Sequence, residues 1–324
     1  MVRDDTWFEC DDGTRLYLRR WLPGKAAEPR IVLQVAHGMA EHAGRYGRLA
    51  ERLCEAGVEV WAADQRGHGK TADAGVNDPG KGGLLGHCCD GDAFERVSAD
   101  LLGISEAIRA ARPGAALFLM GHSWGSFIAQ SHIGGRGGGL LDGCALSGTR
   151  GPGGFKARAG APLMAALAAI RGPRARSRLA RAAADGPYRK AFPPARTPFD
   201  WLSRDAAEVD AYCADPLCGA LCSAGFYRDL ARGLARAHGR RAMARVPKGL
   251  PIYIFCGGDD PVGDMGASPA ALAAAYRSLG VRDVELVVYP GARHEPLNET
   301  GREEATAGLL SWLLSRASAK GKEG

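Results

Sequence analysis

Residues 117–126, which read LFLMGHSWGS, restrict the fold of this 324-residue chain more than any other segment. Four apolar residues run into the pattern Gly-x-Ser-x-Gly, formed by Gly121, Ser123 and Gly125, and a stretch with helical spacing follows. A strand that turns at once into a helix crowds the backbone on both sides of the turn, so glycine is required there. The segment therefore predicts a strand, a sharp turn that presents the Ser123 hydroxyl, and a helix.

Strand and helix signals alternate on both sides of this turn. Alternating residues after an Asp-Gly turn predict a strand over 15–21, and short apolar runs predict strands over 31–35, 58–63, 117–120 and 140–147. Helical spacing predicts helices over 45–56, 94–111 and 126–133. The glycine cluster at 134–139 is expected to be a loop. Strands that alternate with helices favour a largely parallel sheet that is covered by helices on both faces.

The pattern changes after residue 150. Residues 151–246 hold Ala-rich and Arg-rich helical stretches, broken by Pro and Gly, without a convincing strand. Strand signals return at 251–256 and 284–289, with helices expected over 269–279 and 303–314. We therefore expect an α/β protein whose core begins with residues 1–150, is interrupted by a helical cap over 151–246, and ends with residues 247–324.

A nucleophilic serine on such a turn needs a neighbouring base, because its hydroxyl is a weak nucleophile. In a fold with this kind of turn, an acid and then a histidine follow in chain order, each on a loop after a strand. His294 lies in YPGARHEP, just after the strand expected at 284–289, and is the predicted general base. His132, inside a helix, is interpreted as a surface or packing residue, and His238, in the basic stretch ARAHGRR, is expected to be solvated.

Three aspartates compete for the role of the acid that orients His294. Asp259, Asp260 and Asp264 all lie in GGDDPVGD, directly after the strand expected at 251–256. A carboxylate there can fix the histidine tautomer and stabilise the imidazolium. Asp260, which precedes a proline, is favoured and Asp259 is the alternative; the residues by themselves do not separate the two.

Six motifs together resemble one branch of a known fold family. They are HGMAEHAGRY at 37–46, DQRGHGK at 64–70, GHSWGS at 121–126, the segment 201–219, GGDDPVG at 257–263 and YPGARHEPLNE at 289–299. The chain is similar over nearly its whole length to the monoacylglycerol lipase and lysophospholipase branch of the α/β-hydrolases, whose sequence domain is also called serine aminopeptidase. The resemblance implies the α/β-hydrolase fold, a mostly parallel sheet with helices on both faces and an inserted helical cap.

The resemblance also implies roles for individual residues. The family's catalytic aspartate precedes Pro-Val, which is the position of Asp260. The resemblance implies that the backbone N–H groups of Met39 and Trp124 form the oxyanion hole. The general rule for this kind of turn also expects two such donors, one directly after the nucleophile and one from an early loop. Trp124 is bulkier than the usual residue, so we expect it to narrow the acyl side of the pocket. Ser126 replaces a usual glycine.

These features lead to the expectation of a serine hydrolase that cleaves carboxylic esters of acyl chains, such as monoacylglycerols or lysophospholipids. Catalysis through Ser123, His294 and Asp260 with an acyl-enzyme requires no cofactor and no metal. The alternatives are a thioesterase, an acyltransferase, an aminopeptidase, or a non-catalytic ligand-binding protein on the same scaffold. An aminopeptidase needs a cap carboxylate to hold the substrate amine; Glu208, Asp210 and Asp215 are candidates without a feature that selects one.

Charge and cysteine usage bear on partners and compartment. The net charge is +6, and the Arg-rich middle of the chain has few aromatic residues among its arginines, so no nucleic-acid partner is expected. Nine scattered cysteines without a CxxC pair suit a reducing compartment. With no apolar leader and no apolar run of about 18 residues, the expected location is the cytoplasm.

Three weaker signals have structural interpretations. Asp64, Arg66 and His37 are expected to anchor loops near the turn rather than to act in catalysis. The group His87–Asp90 lacks the spacing of a metal site. The apolar stretch 162–170, followed by several arginines, allows transient contact of the cap with a membrane surface, but a cap helix that covers the pocket with a solvated basic face is favoured.

Overall fold

A single twisted sheet organises the described part of the chain, in the order β1-β2-β4-β3-β5-β6-β7-β8. The computed structural model describes residues 1–24, 29–153, 162, 165–166, 168–176 and 178–320. Its strands are β1 (Val2–Glu9), β2 (Arg15–Leu22), β3 (Ile31–Ala36), β4 (Val58–Ala63), β5 (Ala116–His122), β6 (Gly143–Ser147), β7 (Ile252–Gly257) and β8 (Val284–Tyr289). β1 and β2 pair antiparallel, β2 joins β4 antiparallel, and β4, β3 and β5–β8 are mutually parallel.

Helices cover both faces of this sheet. They are α1 (Gly47–Glu55), α2 (Ala93–Ala111), α3 (Trp124–Ile133), α4 (Arg178–Arg189), α5 (Ala206–Ala214), α6 (Ala224–Ala237), α7 (Arg240–Ala244), α8 (Ala267–Ser278) and α9 (Arg302–Lys320). Side-chain caps define several of the starts: the carboxylate of Asp92 accepts hydrogen bonds from the N–H groups of Phe94 and Glu95, which opens α2. The predicted parallel sheet between two helical layers is confirmed.

The hydrophobic core is divided into two layers by the sheet. One layer joins the sheet to α2, α3, α8 and the helices after β6, and the other joins it to α1 and α9. Strands β3, β4, β5 and β7 are buried along their whole length. A parallel strand with helices over both of its faces has no side exposed to water, which explains why these strands are mostly apolar; Gln34 in β3 and Glu59 in β4 are buried polar exceptions.

Between β6 and β7 the described chain has helices and one isolated bridge. Helix α6 packs against α2 and α3, and several residues between β6 and β7 line a cavity together with Ser123 and His294. The apolar stretch 162–170 lies partly outside the described residues. None of the described helices has the length and hydropathy that a membrane span requires.

Two local features differ from the expectations. The sequence did not predict β1, because its residues VRDDTWFE are charged and mostly exposed, as an edge strand with solvent beside it allows. The expected loop at 134–139 contains a 3₁₀ turn, Arg136–Gly139, in which Gly137 and Gly138 are buried. A side chain at Gly138 would overlap the carbonyl oxygen of Ile133.

Candidate active site

The turn between β5 and α3 holds Ser123 in a rarely populated backbone conformation, with φ 50° and ψ −119°. Its N–H donates to the carbonyl oxygen of Ser147 at 2.9 Å, which ties the turn to β6. A Cβ atom at Gly125 would overlap the carbonyl of Ala36, and one at Gly121 would overlap the backbone of Gly125. Close packing of turn, helix and sheet therefore explains both glycines of the motif and the strained serine between them.

An aspartate and a histidine meet at the same edge of the sheet. Asp260 follows β7 and is fully buried, and His294 follows β8 and is 2% exposed. Both carboxylate oxygens of Asp260 lie 3.0 Å from Nδ1 of His294. The N–H of Val262 also donates to Asp260 Oδ1, at 2.9 Å, so the carboxylate is held from two sides. With Nδ1 donating to Asp260, the His294 Nε2 atom is left as a hydrogen-bond acceptor.

The competing aspartates make no contact with a histidine ring in the described structure. Asp259 is exposed, and its side chain has no hydrogen-bond partner within the described residues. Asp264 is exposed as well and lies 3.5 Å from a guanidinium nitrogen of Arg150. Of the three acids in the loop after β7, the structure places Asp260 beside His294.

Two opposing effects act on the His294 imidazole. Burial lowers the pKa of His294, since a charged ring loses its hydration. The negative charge of Asp260 and its hydrogen bond raise that pKa, and together with more distant carboxylates they outweigh burial. The resulting pKa lies above the ordinary histidine value, so the ring takes up a proton readily.

Ser123 and His294 line one cavity between the sheet edge and the cap helices. Among the described residues the Ser123 hydroxyl has no hydrogen-bond partner, so hydroxyl and imidazole share the cavity without being bonded. Hydrogen bonds between catalytic groups are often long before a substrate binds and tighten in the complex.

Two backbone N–H groups lie near the serine. The loop after β3 approaches closely: a Cβ at Gly38 would come within 3.3 Å of Ser123 Cβ, and Met39 lines the cavity. Within the described chain the Met39 N–H makes no backbone hydrogen bond. Trp124 is the first residue of α3, where N–H groups have no acceptor inside the helix. Neither N–H group therefore has a backbone acceptor in the described part of the chain.

The expectation that the Trp124 side chain narrows the pocket is wrong. The ring is 1% exposed, packs against Phe94 and Phe226, and donates its indole N–H to Gln65 Oε1 at 3.1 Å. It is absent from the described cavity lining. The helix after the turn directs this side chain into the core instead, while the backbone N–H stays at the turn.

A buried ion-pair network that the sequence did not reveal connects the two loops beside the serine. Arg45 binds Glu41 at 2.6 Å and both oxygens of Glu295 at 2.7 Å. Glu41 in turn accepts the Gly38 N–H at 2.5 Å. Burial raises the pKa of Glu41, but the Arg45 charge and other positive neighbours hold it lower, at about 2, so this carboxylate stays ionised. In the sequence, the signal for this network was the four-residue spacing of Glu41 and Arg45, which is typical of an ion pair.

The cavity encloses about 490 Å³, including its open mouth. Its apolar and aromatic lining residues are Met39, Ala40, Phe199, Trp201, Leu202, Tyr212, Ala220 and Tyr227. Two further charged lining residues, Arg181 and Asp185, lie in α4; Arg181 belongs to the basic stretch after 162–170, and the sequence did not single out Asp185. Because Asp185 is the only acidic residue between 151 and 199, the sequence could have marked it as a candidate for a specific role.

The acids nominated for amine binding lie elsewhere. Glu208 pairs with Arg48, Asp210 pairs with Arg196, and Asp215 contacts the ring of His42. None of the three is in the described cavity lining. The three acids therefore form contacts at the surface and in loops, and they take no part in the cavity.

One described group has metal-ligand chemistry: His42, Asp215 and Cys218 lie within 4.8 Å of one another. Both ring nitrogens of His42 already have partners, since Nδ1 accepts the Gly44 N–H at 3.1 Å and Nε2 lies 2.9 Å from Asp215. Burial also raises the pKa of the Cys218 thiol well above its ordinary value. The group fits a hydrogen-bonded pair better than a metal site.

The predicted loop anchors are confirmed. Asp64 accepts hydrogen bonds from Arg19 and from two backbone N–H groups, and Arg66 binds both Asp12 and Asp100. His37 joins its own loop to the next, because Gln65 N donates to its Nε2 at 2.9 Å.

His238 and His132 both pack against other parts of the protein. The expectation that His238 is solvated is wrong: its Nε2 lies 3.0 Å from Gln130 Oε1, and burial lowers its pKa to about 4. His238 directly follows α6, which packs against α3 and brings the ring to Gln130. His132 is 4% exposed and is a packing residue.

Comparison with known proteins agrees with this geometry. The family model described as "Serine aminopeptidase, S33" matches residues 27–301. A monoacylglycerol lipase of Mycolicibacterium smegmatis is 31% identical, covering 97% of this chain and 98% of that protein. The monoglyceride lipase of Homo sapiens is 28% identical, covering 87% of this chain and 80% of that protein.

Solved structures show the same architecture. A thermostable carboxyl esterase from Bacillus coagulans, crystallised with glycerol, superposes with a TM-score of 0.87 at 27% identity over 98% of this chain and 99% of that one. A soluble variant of monoglyceride lipase from Saccharomyces cerevisiae superposes with a TM-score of 0.73 at 22% identity, over 98% of this chain and 96% of that one. The second likeness concerns the fold alone.

Proposed function

The chain belongs to the serine aminopeptidase S33 family and has the α/β-hydrolase fold, and from this premise we propose that it hydrolyses carboxylic esters of acyl chains through Ser123, His294 and Asp260. It is a serine ester hydrolase of the monoacylglycerol lipase and esterase type. The observation that carries the proposal is the contact of Asp260 with His294 Nδ1 at 3.0 Å, on a cavity that Ser123 shares.

In the proposed mechanism Ser123 Oγ attacks the ester carbonyl while His294 Nε2 takes the hydroxyl proton. Asp260 stabilises the imidazolium, and the N–H groups of Met39 and Trp124 bind the oxyanion. The C–O bond to the alcohol then breaks, and His294 returns the proton to the leaving oxygen. A water molecule, deprotonated by His294, attacks the acyl-enzyme and releases the carboxylic acid and free Ser123.

The substrate class follows from the cavity lining and the named relatives. Aromatic and aliphatic side chains on the cap side, including Phe199, Trp201 and Tyr227, suit an acyl chain. The two relatives reported above are named as lipases of monoacylglycerols, and this chain covers 80% or more of each. We therefore propose monoacylglycerols or lysophospholipids as substrates, and residues 151–246 as the cap that covers them.

Fluorophosphonate labelling tests the nucleophile. The wild-type protein should be labelled, and Ser123→Ala should lose all labelling because the reagent bonds to an activated serine oxygen. Ser131→Ala, which changes a half-buried serine in the same helix, is the matched control and should label normally. Labelling that survives Ser123→Ala, or a wild-type protein without label, would reject the mechanism.

A substrate panel tests the reaction class. Monoacylglycerols, p-nitrophenyl esters and aminoacyl amides would be compared by kcat/KM. We expect the esters to be preferred, with negligible amide cleavage. A strong preference for the aminoacyl amides would reject the ester proposal.

A further inference from the structure

We propose that Trp201 is a positioning residue for the general base: its indole ring orients the His294 imidazole and stabilises the positively charged form that this imidazole takes after accepting the Ser123 proton. The inference rests on the proposed function, because His294 acts as a base in that reaction. Trp201 lies between β6 and β7, in the segment proposed as the cap, and lines the cavity together with Ser123 and His294.

The indole and the imidazole are in direct contact. The ring centroids of Trp201 and His294 lie 5.1 Å apart, with 38° between the ring planes. Trp201 is 9% exposed and His294 is 2% exposed, so water is largely excluded from the contact. A positive charge within about 6 Å of an indole centroid is attracted by the electron-rich face of the ring, and the attraction increases when water is excluded. An imidazolium at His294 meets both conditions.

The backbone of the same segment is bonded to the loop that carries His294. The His294 N–H donates to the carbonyl oxygen of Trp201 at 3.4 Å, and the Glu295 N–H donates to the carbonyl oxygen of Leu202 at 2.9 Å. Trp201 therefore contacts His294 through its backbone as well as through its ring. The position of the segment between β6 and β7 is in this way transmitted to the base.

Packing orients the indole ring. Tyr188 of α4 lies against Trp201 with 5.4 Å between the ring centroids, and His122 lies against His294 at 4.9 Å. The Trp201 Nε1 atom is buried without a hydrogen-bond partner among the described residues. A series of four rings in contact thus extends from α4 to the end of β5, and ring contacts rather than a hydrogen bond hold the indole beside the imidazole.

The indole is a neutral neighbour in a charged environment. The charged and titratable side chains around the imidazole and its cavity come from the loops after β3, β7 and β8, from the end of β5 and from α4; they are Glu41, Arg45, Asp260, Glu295, His122, Arg181 and Asp185. Burial, and then the nearby His294, lower the pKa of His122 to about 4, so His122 stays neutral while His294 titrates. Replacing Trp201 changes none of these charges, so its effect on the imidazole can be measured separately.

Two substitutions of Trp201 test the role of the aromatic face. Trp201→Leu keeps an apolar side chain beside His294 but removes the ring. We expect the acid limb of the kcat/KM profile on a p-nitrophenyl ester to move to lower pH by about 0.5 to 1 unit, the shift that one cation–π contact produces. We also expect kcat to fall about three- to tenfold, because the imidazolium forms in the transition state. Trp201→Phe should keep both values close to those of the wild type, since it retains a ring and loses no hydrogen bond.

Phe199→Leu is the matched control. Phe199 lines the same cavity, but its ring packs against Tyr212. This variant removes aromatic surface from the cavity and should raise KM without moving the acid limb. If Trp201→Leu also raised KM and left the acid limb in place, Trp201 would be only a wall of the cavity, and the inference would be overturned. A shift to higher pH in Trp201→Leu, or a Trp201→Phe variant as impaired as Trp201→Leu, would overturn it as well.

A measurement without substrate separates this inference from the proposed function. The His294 imidazole can be titrated by NMR in protein with isotope-labelled histidine, and its resonance identified by its loss in His294→Gln. We expect a lower titration midpoint in Trp201→Leu and a wild-type midpoint in Trp201→Phe. Thermal melts would confirm that both variants fold, and Trp201→Met, with another apolar side chain, would replace Trp201→Leu if it did not fold.

An unmoved midpoint in a folded Trp201→Leu or Trp201→Met protein would overturn the inference and leave the proposed function intact. A wild-type protein that shows the expected midpoints but cleaves no ester would reject the proposed function, and with it the catalytic part of the inference.

Discussion

Asp260 and His294 are 34 positions apart in the chain, yet both carboxylate oxygens of Asp260 lie 3.0 Å from His294 Nδ1, and both side chains are closed to solvent. They follow the neighbouring parallel strands β7 and β8, which end at the same edge of the sheet. Ligands of open α/β sheets bind at the carboxyl ends of the strands, which is where these two side chains meet Ser123.

Asp260→Asn should lower kcat/KM by about 10⁴-fold, because an amide at this position favours the wrong histidine tautomer. Steady-state kinetics on a p-nitrophenyl ester would measure the loss. Asp259→Asn, one residue away but exposed, is the matched control and should retain activity close to that of the wild type. If the larger loss came from the Asp259 variant, the acid would be wrongly assigned.

The pH dependence of kcat/KM should report the raised pKa of His294. The base works only in its neutral form, so activity should be low at acid pH and rise as the pH passes through a pKa above the ordinary value of about 6.5. In Asp260→Asn the carboxylate charge is lost while burial remains, and the residual activity should therefore rise at lower pH. If the activity profile of Asp260→Asn moved to higher pH, the charge of Asp260 would not be the cause of the raised His294 pKa.

Arg45→Met should destabilise the protein by about 3 to 5 kcal/mol, because it leaves the buried carboxylates of Glu41 and Glu295 unpaired. Arg48→Met is the control: Arg48 is 42% exposed, and its pairing with Glu208 is expected to contribute less than about 1 kcal/mol. Urea unfolding of both variants would give the two values. Equal losses of unfolding free energy in the two variants would show that the buried network stabilises the protein no more than the exposed pair does.

Gly125→Ala should prevent the turn from packing against β3, since the added Cβ overlaps the carbonyl of Ala36. We expect a loss of about 3 kcal/mol in the free energy of unfolding and no fluorophosphonate labelling. Gly139→Ala, where an added Cβ meets nothing within 4 Å, should be neutral in both measurements. A stable, fully labelled Gly125→Ala protein would show that the turn tolerates a side chain.

Most of the fold could be predicted because its signals are local. The strands β4 and β8 match the predicted ranges, and α2 begins one residue before the prediction, after the Asp92 cap. The edge strand β1 was missed because an exposed, charged strand has no apolar pattern. Its pairing with β2 depends on backbone hydrogen bonds, which the side-chain pattern does not record.

The polar environment of the cavity was the least predictable part. Arg45 meets Glu295 across 250 positions, and Asp185 of α4 lines the same cavity as Ser123, 62 positions earlier in the chain. Trp124 was expected in the pocket and lies in the core, since a helix one residue past the turn points its side chain away from the cavity. Each of these outcomes depends on which distant segment packs nearby.

Local sequence features were sufficient to predict the strand, the glycine-flanked turn at Ser123 and the helix after it, along with the chain order of serine, acid and histidine. These depend on sterics and periodicity within a few residues. The tertiary structure places Asp260, which the family resemblance already implied, against His294, and it adds two relationships that the sequence did not predict: Arg45 joins two loops, and Asp185 lies at the cavity. Those contacts join residues far apart in the chain, and only packing of the whole fold sets their distances.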